Sequence, residues 1–323
     1  MRAIAQDRYG GVDALELRQM AKPVPGDDDV LVAVRAASAH LGDWHLMTGL
    51  PYLIRIMGYG LRAPKATVRG TDFAGVVEAV GGNVTDFKPG DEVFGVAAGT
   101  FAEYAVARPG KIAPKPASLT FEQAAAVPTS ATTALQALRD RGNIQPGQQV
   151  LIIGAGGGVG TYAVQLAKAL GAQVTGVCST TKVDLVRSLG ADRVIDYTRE
   201  DFASSGRRYD LIIDTAGNRP LSQLRRALAP RGTLVIVGAE GGGRWLGPVD
   251  RLLRAMLVSP LVSQRLTALF ASDSTEDLVA LTRFLEDGSV TPVIGRTFPL
   301  PETRHAIGYL GAGHARGKVV IVP

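Results

Sequence analysis

The stretch VLIIGAGGGVGTYAVQLAKALG, residues 150–171, constrains the fold of this chain more than any other. It opens as a strand-length apolar run, turns through a cluster of glycines and continues at helical spacing to Gly171. Reading Ala155-Gly156-Gly157-Gly158-Val159-Gly160 as G/A-x-G-x-x-G puts Ala155, Gly157 and Gly160 at its three small positions. The first permits a tight turn, the second lets backbone approach a pyrophosphate, and the third lets helix and strand pack closely. A helix beginning near Val159 would aim its free N–H groups at that pyrophosphate, with Gly158 in the turn before it.

The surrounding order supports this reading. QQVLIIG is a buried strand, GGVGTYAVQLAKALG a helix, AQVTGVCS a strand and TKVDLVRSLG a helix. DRVIDY and YDLIIDTAG are strands, PLSQLRRALAP a helix and GTLVIVGA a strand. Such a βαβαβ series predicts an α/β fold with a parallel sheet covered by helices on both faces. The first 120 or so residues differ: DVLVAVRAAS, GTDFAGVVEAVG and GDEVFGV read as short strands, with a Pro-Gly turn in FKPGD. The C-terminal SVTPVIGRTFPL, PETRHAIGYLGAG and GKVVIVP return to mixed elements and are expected to rejoin this first, β-rich domain.

Composition excludes several function classes. At 323 residues and 46% hydrophobic, the chain has enough core for two domains. Its apolar runs are far shorter than the roughly 20 residues of a membrane span, so no membrane partner is expected. MRAIAQDRYGG carries no apolar signal core, which makes the cytoplasm the expected location. A single cysteine, Cys178, excludes an intramolecular disulfide and a four-cysteine zinc site. The formal charge of +5 comes from scattered Lys and Arg rather than a basic run, which fits a small anionic ligand better than nucleic acid.

Cofactor choice is read at the end of the second strand, where an Asp or Glu would hold the ribose hydroxyls of NAD. Cys178 stands there, followed by Ser179, Thr180 and Lys182. Hydroxyls can donate to a ribose 2′-phosphate and an ammonium can neutralise it, which favours NADPH over NADH. The same residues can also cap the next helix, and the two roles are compatible.

The spaced motifs GTDFAGVVEAVG, FKPGDEVFG, AAAVPTSATTAL, GAGGGVG, GADRVIDY and HARGKVVI together resemble the medium-chain dehydrogenase/reductase superfamily. More narrowly, the chain is similar to its zinc-free quinone oxidoreductase and enoyl reductase branch. The resemblance spans nearly the whole chain. It implies a GroES-like catalytic domain at residues 1–122, completed by 275–323, and a Rossmann NADPH-binding domain at 123–274. A nicotinamide would lie in the cleft between them. Zinc members carry a ligand cysteine and a Gly-His-Glu motif; here the second reads Gly70-Thr71-Asp72 and the first has no cysteine. No metal is therefore expected. The remaining metal-like stretch, AHLGDWH, places His40, Asp43 and His45 on a short extended or single-turn segment that does not converge them.

The implied reaction is hydride transfer to a quinone or an α,β-unsaturated carbonyl, with hydrogen-bond donors meeting the charge that develops on oxygen. Relatives carry Asn where this chain has His40, so His40 is expected to face the nicotinamide cleft, with Asp43 matching a family Asp. Further catalytic candidates are Tyr52 and Tyr59 in LPYLIRIMGYG, and Thr129 in VPTSATTA, which would also approach the nicotinamide ribose. By resemblance Tyr197 approaches the 2′-phosphate and Val237, Gly238 and Ala239 close a strand beside the nicotinamide. Arg316 and Lys318 in HARGKVV lie where relatives contact cofactor phosphates, or are solvated surface; Asp214 reads as a turn cap. The apolar, arginine-punctuated stretch 242–270 reads as a lid, a homodimer surface or a packed core helix. Two alternatives to a quinone or enone reductase stay open: an NADPH-dependent alcohol dehydrogenase or ketone reductase, and a non-catalytic NADPH-binding redox sensor.

Overall fold

The computed structural model describes residues 1–238, 245 and 249–323, and the chain divides into two compact units. One comprises Thr133–Ser272 and Asp287–Thr291. Its six strands lie in the order Arg193–Asp196, Gln173–Cys178, Gln149–Ile153, Tyr209–Asp214, Leu228–Ile236 and Arg265–Ala268. In chain order that is third, second, first, fourth, fifth and sixth, and every pairing is parallel. This is the doubly wound arrangement, whose order reverses beside the first strand, where the glycine turn leaves the sheet. Val150, Leu151, Ile152, Leu211, Ile212, Ile213, Leu234 and Val235 are wholly buried, as expected for strands covered on both faces. Each such side chain contributes about 1.5–3 kcal/mol of burial.

Part of the stretch 242–270 belongs to this core. Leu252 and Ala255 of the helix Val249–Val258 and Leu266 and Ala268 of the last strand are buried, while Leu253, Met256, Leu257 and Leu261 are exposed. Asp214 is buried at the end of its strand. Its Oδ1 accepts from Gly217 N at 3.0 Å and its Oδ2 pairs with Arg251, so it caps a turn. Among the described residues, no helix is long and apolar enough to cross a membrane.

The other unit comprises Met1–Thr132, Asp273–Glu286 and Pro292–Pro323. Its seven-stranded sheet centres on Val30–Ala39, which pairs antiparallel with Asp72–Val80, Tyr104–Ala107 and the C-terminal strand Lys318–Val322. The expected break at 122/123 lies at Thr132/Thr133 instead. The helix Phe121–Ala125 is tied to this sheet, since Ser38 Oγ donates to Ala125 O at 2.8 Å. Thr129 is tied to it as well, because its backbone N–H donates to Asp72 Oδ1 at 3.2 Å. The second crossing lies at Asp273, where the segment that carries helix Thr275–Glu286 begins.

Register decides which distant residues meet at one end of this sheet. Ser38 is paired with Asp72 on one side and with Val320 on the other, and Val319 with Ala39. Asp72, Ser38 and the start of the C-terminal strand therefore converge just before His40. AHLGDWH is not the extended or single-turn segment that its spacing suggested. An eight-residue α-helix, Leu41–Thr48, follows His40, which is its N-cap. His40 Nδ1 accepts from Gly42 N at 3.0 Å and Asp43 Oδ2 accepts from His40 N at 2.9 Å, a reciprocal cap that stabilises the first turn.

Candidate active site

A cavity of about 700 Å³ lies wholly within the β-rich unit. Leu46, Ile54, Met57, Val68, Val96 and Ala97 give it apolar walls, and its polar groups include His40, Asp43, His45, Tyr59, Thr129 and Asp273. This is the usual composition of a small-molecule site: mostly apolar with a few oriented polar groups.

At one end of the cavity stands a buried polar cluster. Asp72 is fully enclosed, and its Oδ2 accepts from Lys318 Nζ at 3.1 Å, with Ser38 Oγ, whose hydrogen goes chiefly to Ala125 O, 3.2 Å away. Its Oδ1 takes the Thr129 N–H and, through a short hydrogen bond, the Thr129 hydroxyl. Lys318 Nζ also donates to Ser130 Oγ at 3.0 Å. Burial opposes the charge on Asp72, but the Lys318 ammonium and the Thr129 hydrogen bond outweigh it and hold the carboxyl below the usual carboxylate range. Lys318 is therefore neither a phosphate contact nor solvated surface; its side chain is 1% exposed and its charge is used by Asp72. Thr129 reaches the cavity with its hydroxyl hydrogen already committed, so its oxygen acts there as an acceptor.

His40 lines the cavity as expected, but its N–H does not open onto it. With Nδ1 accepting from Gly42, the hydrogen of the neutral ring sits on Nε2, which is enclosed, lacks a hydrogen-bond partner and lies 3.6 Å from Asp43 Oδ2. Asp43 acts as an acceptor for His40 N and, at 3.2 Å, for Thr71 Oγ; its role is to position this turn. His45 Nδ1 contacts Leu50 O at 2.9 Å. Tyr59 is half-exposed on the cavity rim, whereas Tyr52 lies against the Arg55 guanidinium, outside the lining.

Among the described residues no group of three or more His, Cys, Asp or Glu side chains could hold a metal. The only thiol, Cys178, lies buried in the other unit, where burial and then the Asp196 charge push it up to about 11.

In the parallel unit, the glycine turn is built slightly differently from the fingerprint as read. Its first position is Gly154, not Ala155. Gly154 adopts φ +83°, and a Cβ there would lie 2.4 Å from Thr215 Oγ1. Ala155 is instead buried against Gly176 of the neighbouring strand. The glycines that matter thus recur at equal spacing, Gly154, Gly157 and Gly160, a pattern visible in the sequence. A Cβ on Gly160 would lie 2.1 Å from Gly154 O, so the helix Gly158–Ala169, with Gly157 as its N-cap and Val159 in its first turn, can pack this closely only without a side chain there.

The loop after the second strand also departs from expectation. Thr180 Oγ1 donates to Asp196 Oδ2 at 2.6 Å, so its single hydroxyl hydrogen is spent and it is no donor for a phosphate. Asp196 stands across from Cys178 on the third strand, an acid one strand away from where it was sought. Its oxygens are occupied by Thr180 and by the Thr198 hydroxyl and N–H, at 2.8 and 3.0 Å. The Thr180 hydrogen bond, opposed by desolvation and reinforced by Thr198, keeps the Asp196 carboxyl below its ordinary range. Ser179 is half-buried and Tyr197 exposed, Lys182 lays its methylenes beside Gly156, and Arg219 stands 5.7 Å from the Tyr197 ring centre. Val237 and Gly238 end the fifth strand through hydrogen bonds from their N–H groups to Asp214 O. Ala239 lies outside the described residues, and Arg316 is exposed.

A GroES-like β-unit and a doubly wound unit with a dinucleotide turn, carried by one chain, define the class of nicotinamide-dependent oxidoreductases. Comparison with known proteins agrees. The alcohol dehydrogenase GroES-like domain family model matches residues 26–117, the zinc-binding dehydrogenase model 189–321, and the alanine dehydrogenase/PNT C-terminal domain model 122–219. The quinone-oxidoreductase QR1, chloroplastic, of Triphysaria versicolor is 33% identical across 100% of this chain and 98% of its own. The NADPH-dependent alkenal/one oxidoreductase, chloroplastic, of Arabidopsis thaliana is 32% identical across 100% of this chain and 80% of its own. Among solved structures, the quinone oxidoreductase from Coxiella burnetii superposes with a TM-score of 0.88 at 31% identity, covering 100% of this chain and 99% of that one. The chain belongs to the medium-chain dehydrogenase/reductase superfamily, in its quinone oxidoreductase-like branch.

Proposed function

We propose that this protein reduces quinones or α,β-unsaturated carbonyls with NADPH and without zinc. The observation that carries the reading is the cavity in the GroES-like unit: apolar walls suit a hydrophobic carbonyl compound, and the polar groups gather at His40 and Thr129. The names of the relatives, quinone oxidoreductase and NADPH-dependent alkenal/one oxidoreductase, support the same substrate class and cofactor. The engaged state of Asp43, Thr71, His40 Nδ1 and His45 Nδ1 supports a reaction that uses no metal.

A bound nicotinamide dinucleotide supplies the hydride. Gly157, Gly158 and the first turn of the helix at Val159 would hold its pyrophosphate, and Ser179, Lys182 and Tyr197 its 2′-phosphate. Thr129, as an acceptor, would orient a ribose hydroxyl or carboxamide. His40, its ring held by Gly42 and its backbone N–H by Asp43, would shape the cavity wall beside the substrate.

The expected result is NADPH oxidation on addition of a quinone or an enone, without added metal and with no stoichiometric zinc by elemental analysis. Turnover confined to simple saturated ketones, or dependent on bound zinc, would overturn the proposal. Tight NADPH binding without turnover of any of them would favour a cofactor-sensing protein. For the glycine turn, Gly160→Ala is expected to force helix and strand apart at Gly154 O, at a cost of about 1–3 kcal/mol. Dinucleotide affinity, read by fluorescence titration, should fall at least about tenfold; affinity unchanged within about twofold would show that the turn tolerates a side chain.

A further inference from the structure

We propose that Asp273 is the acid that protonates the substrate carbon after hydride transfer; the role rests on the enone-reductase reading and deepens it.

Asp273 belongs to the GroES-like unit and lines the same cavity as His40, Lys111 and Thr129. Its position follows from how its segment is tied down. Two residues on, Thr275 Oγ1 shares its one hydrogen between Ile112 O at 2.9 Å and Pro109 O at 3.1 Å, on either side of Lys111. The chain therefore enters the helix Thr275–Glu286 with Asp273 facing Lys111, and the carboxylate and ammonium stand 3.7 Å apart, a loose pair.

Three polar groups beside it on the wall are already engaged or enclosed: Asp43 accepts from His40 N and Thr71 Oγ, Thr129 gives its hydrogen to Asp72, and His40 Nε2 does not open onto the cavity. Asp273 is 38% exposed at its side chain, open enough to exchange protons with water. Burial raises its pKa above the ordinary carboxyl range, Lys111 opposes this and the Asp72 charge adds to it, with the net shift upward. A carboxyl poised in this direction is the kind that serves as a general acid.

The step balances as follows. Hydride from the reduced nicotinamide forms a C–H bond at the β-carbon, and the π electrons of the enone move to oxygen, giving an enolate. The enolate re-forms its carbonyl as the α-carbon takes the proton of Asp273; a C–H bond forms, the carboxyl O–H bond breaks, and the carboxylate is reprotonated by water. The enone is reduced by two electrons and the nicotinamide is oxidised by two. A quinone differs because its protons end on oxygens, which exchange with water directly, so its reduction does not need this acid.

The test compares wild type, Asp273→Asn and Asp273→Glu with NADPH and two probes, cyclohex-2-enone and 1,4-benzoquinone. Asp273→Asn is expected to lower kcat for the enone about 100-fold with KM changed less than about threefold, and to leave quinone turnover within about threefold. Enone kcat in wild type should fall as pH rises through the Asp273 titration, and this limb should vanish in Asp273→Asn; Asp273→Glu should restore most of the rate. Equal losses with both probes, or no loss with either, would overturn the assignment while leaving the reductase reading intact. A wild type inactive on both probes would overturn that reading and this role with it.

Discussion

Replacing Lys318 with methionine is expected to destabilise the folded chain by about 3–5 kcal/mol, because it strands a charge in the core of the β-rich unit. The side chains of Lys318 and Asp72 are 1% and 0% exposed, so no water can take the place of the lost ammonium. Asp72 would keep as full donors only the neutral N–H and hydroxyl of Thr129. The pH dependence has a defined sign. In the native chain the Asp72 carboxyl is held below its ordinary value, so its contribution is complete above the unfolded carboxyl range near pH 4 and is lost as pH falls through the depressed folded value. In Lys318→Met burial acts with its main opponent removed, the carboxyl shifts upward, and the deficit should shrink as pH is lowered toward 4. The double variant Lys318→Met, Asp72→Asn, which buries no charge, should recover part of the loss. Urea denaturation across this pH range checks the series; a single-variant loss below about 1 kcal/mol would show that the pair adds nothing net.

That same pair marks where sequence reading stops. The doubly wound unit is legible because its signals are local: apolar runs of strand length, glycine-ended helices and the turn after Ile153 each depend on neighbours within about 20 residues. Lys318 gave no such signal. HARGKVV looks like a phosphate-binding or solvated stretch until Val319 is set against Ala39 and Ser38 against Asp72, a meeting across 246 residues. Register between distant strands is set by the whole sheet and is invisible to spacing. Asp273 escaped notice for the same reason, since it is Thr275 on the strand-flanking carbonyls of Pro109 and Ile112 that brings it into the cavity. Two differences are of another kind: the fingerprint with Ala155 in first place fits the sequence, yet the equal spacing of Gly154, Gly157 and Gly160 is equally visible in it, and Thr180 reads as a phosphate donor because a sequence shows a hydroxyl but not the Asp196 that claims its hydrogen. His40 lies between these cases. Its place on the cavity was expected from the family, whereas the cap that fixes its tautomer required the helix Leu41–Thr48.

Lys182→Ala is expected to weaken NADPH binding about 10- to 100-fold while leaving NADH within about twofold, the loss of one charge-assisted contact worth roughly 1.5–3 kcal/mol. With Thr180 committed to Asp196, the proposed recognition of a 2′-phosphate would fall on fewer groups than the sequence offers: Ser179, Lys182 and Tyr197, with Arg219 beside the Tyr197 ring. Lys182 is a cation placed against the glycine turn itself, its nearest methylene 2.8 Å from where a Gly156 Cβ would be. Asp196 would repel a phosphate, but both its oxygens accept hydrogen bonds and Arg199 stands 3.5 Å away, which blunts that repulsion and also removes the acid as a partner for ribose hydroxyls. Arg219→Ala should therefore show a smaller selective loss, and Thr180→Val should loosen the Asp196 cluster and weaken both dinucleotides together. Isothermal titration with NADPH and NADH separates these outcomes. An equal loss of both cofactors in Lys182→Ala would refute the 2′-phosphate assignment and place that lysine on the pyrophosphate, where the two dinucleotides are identical.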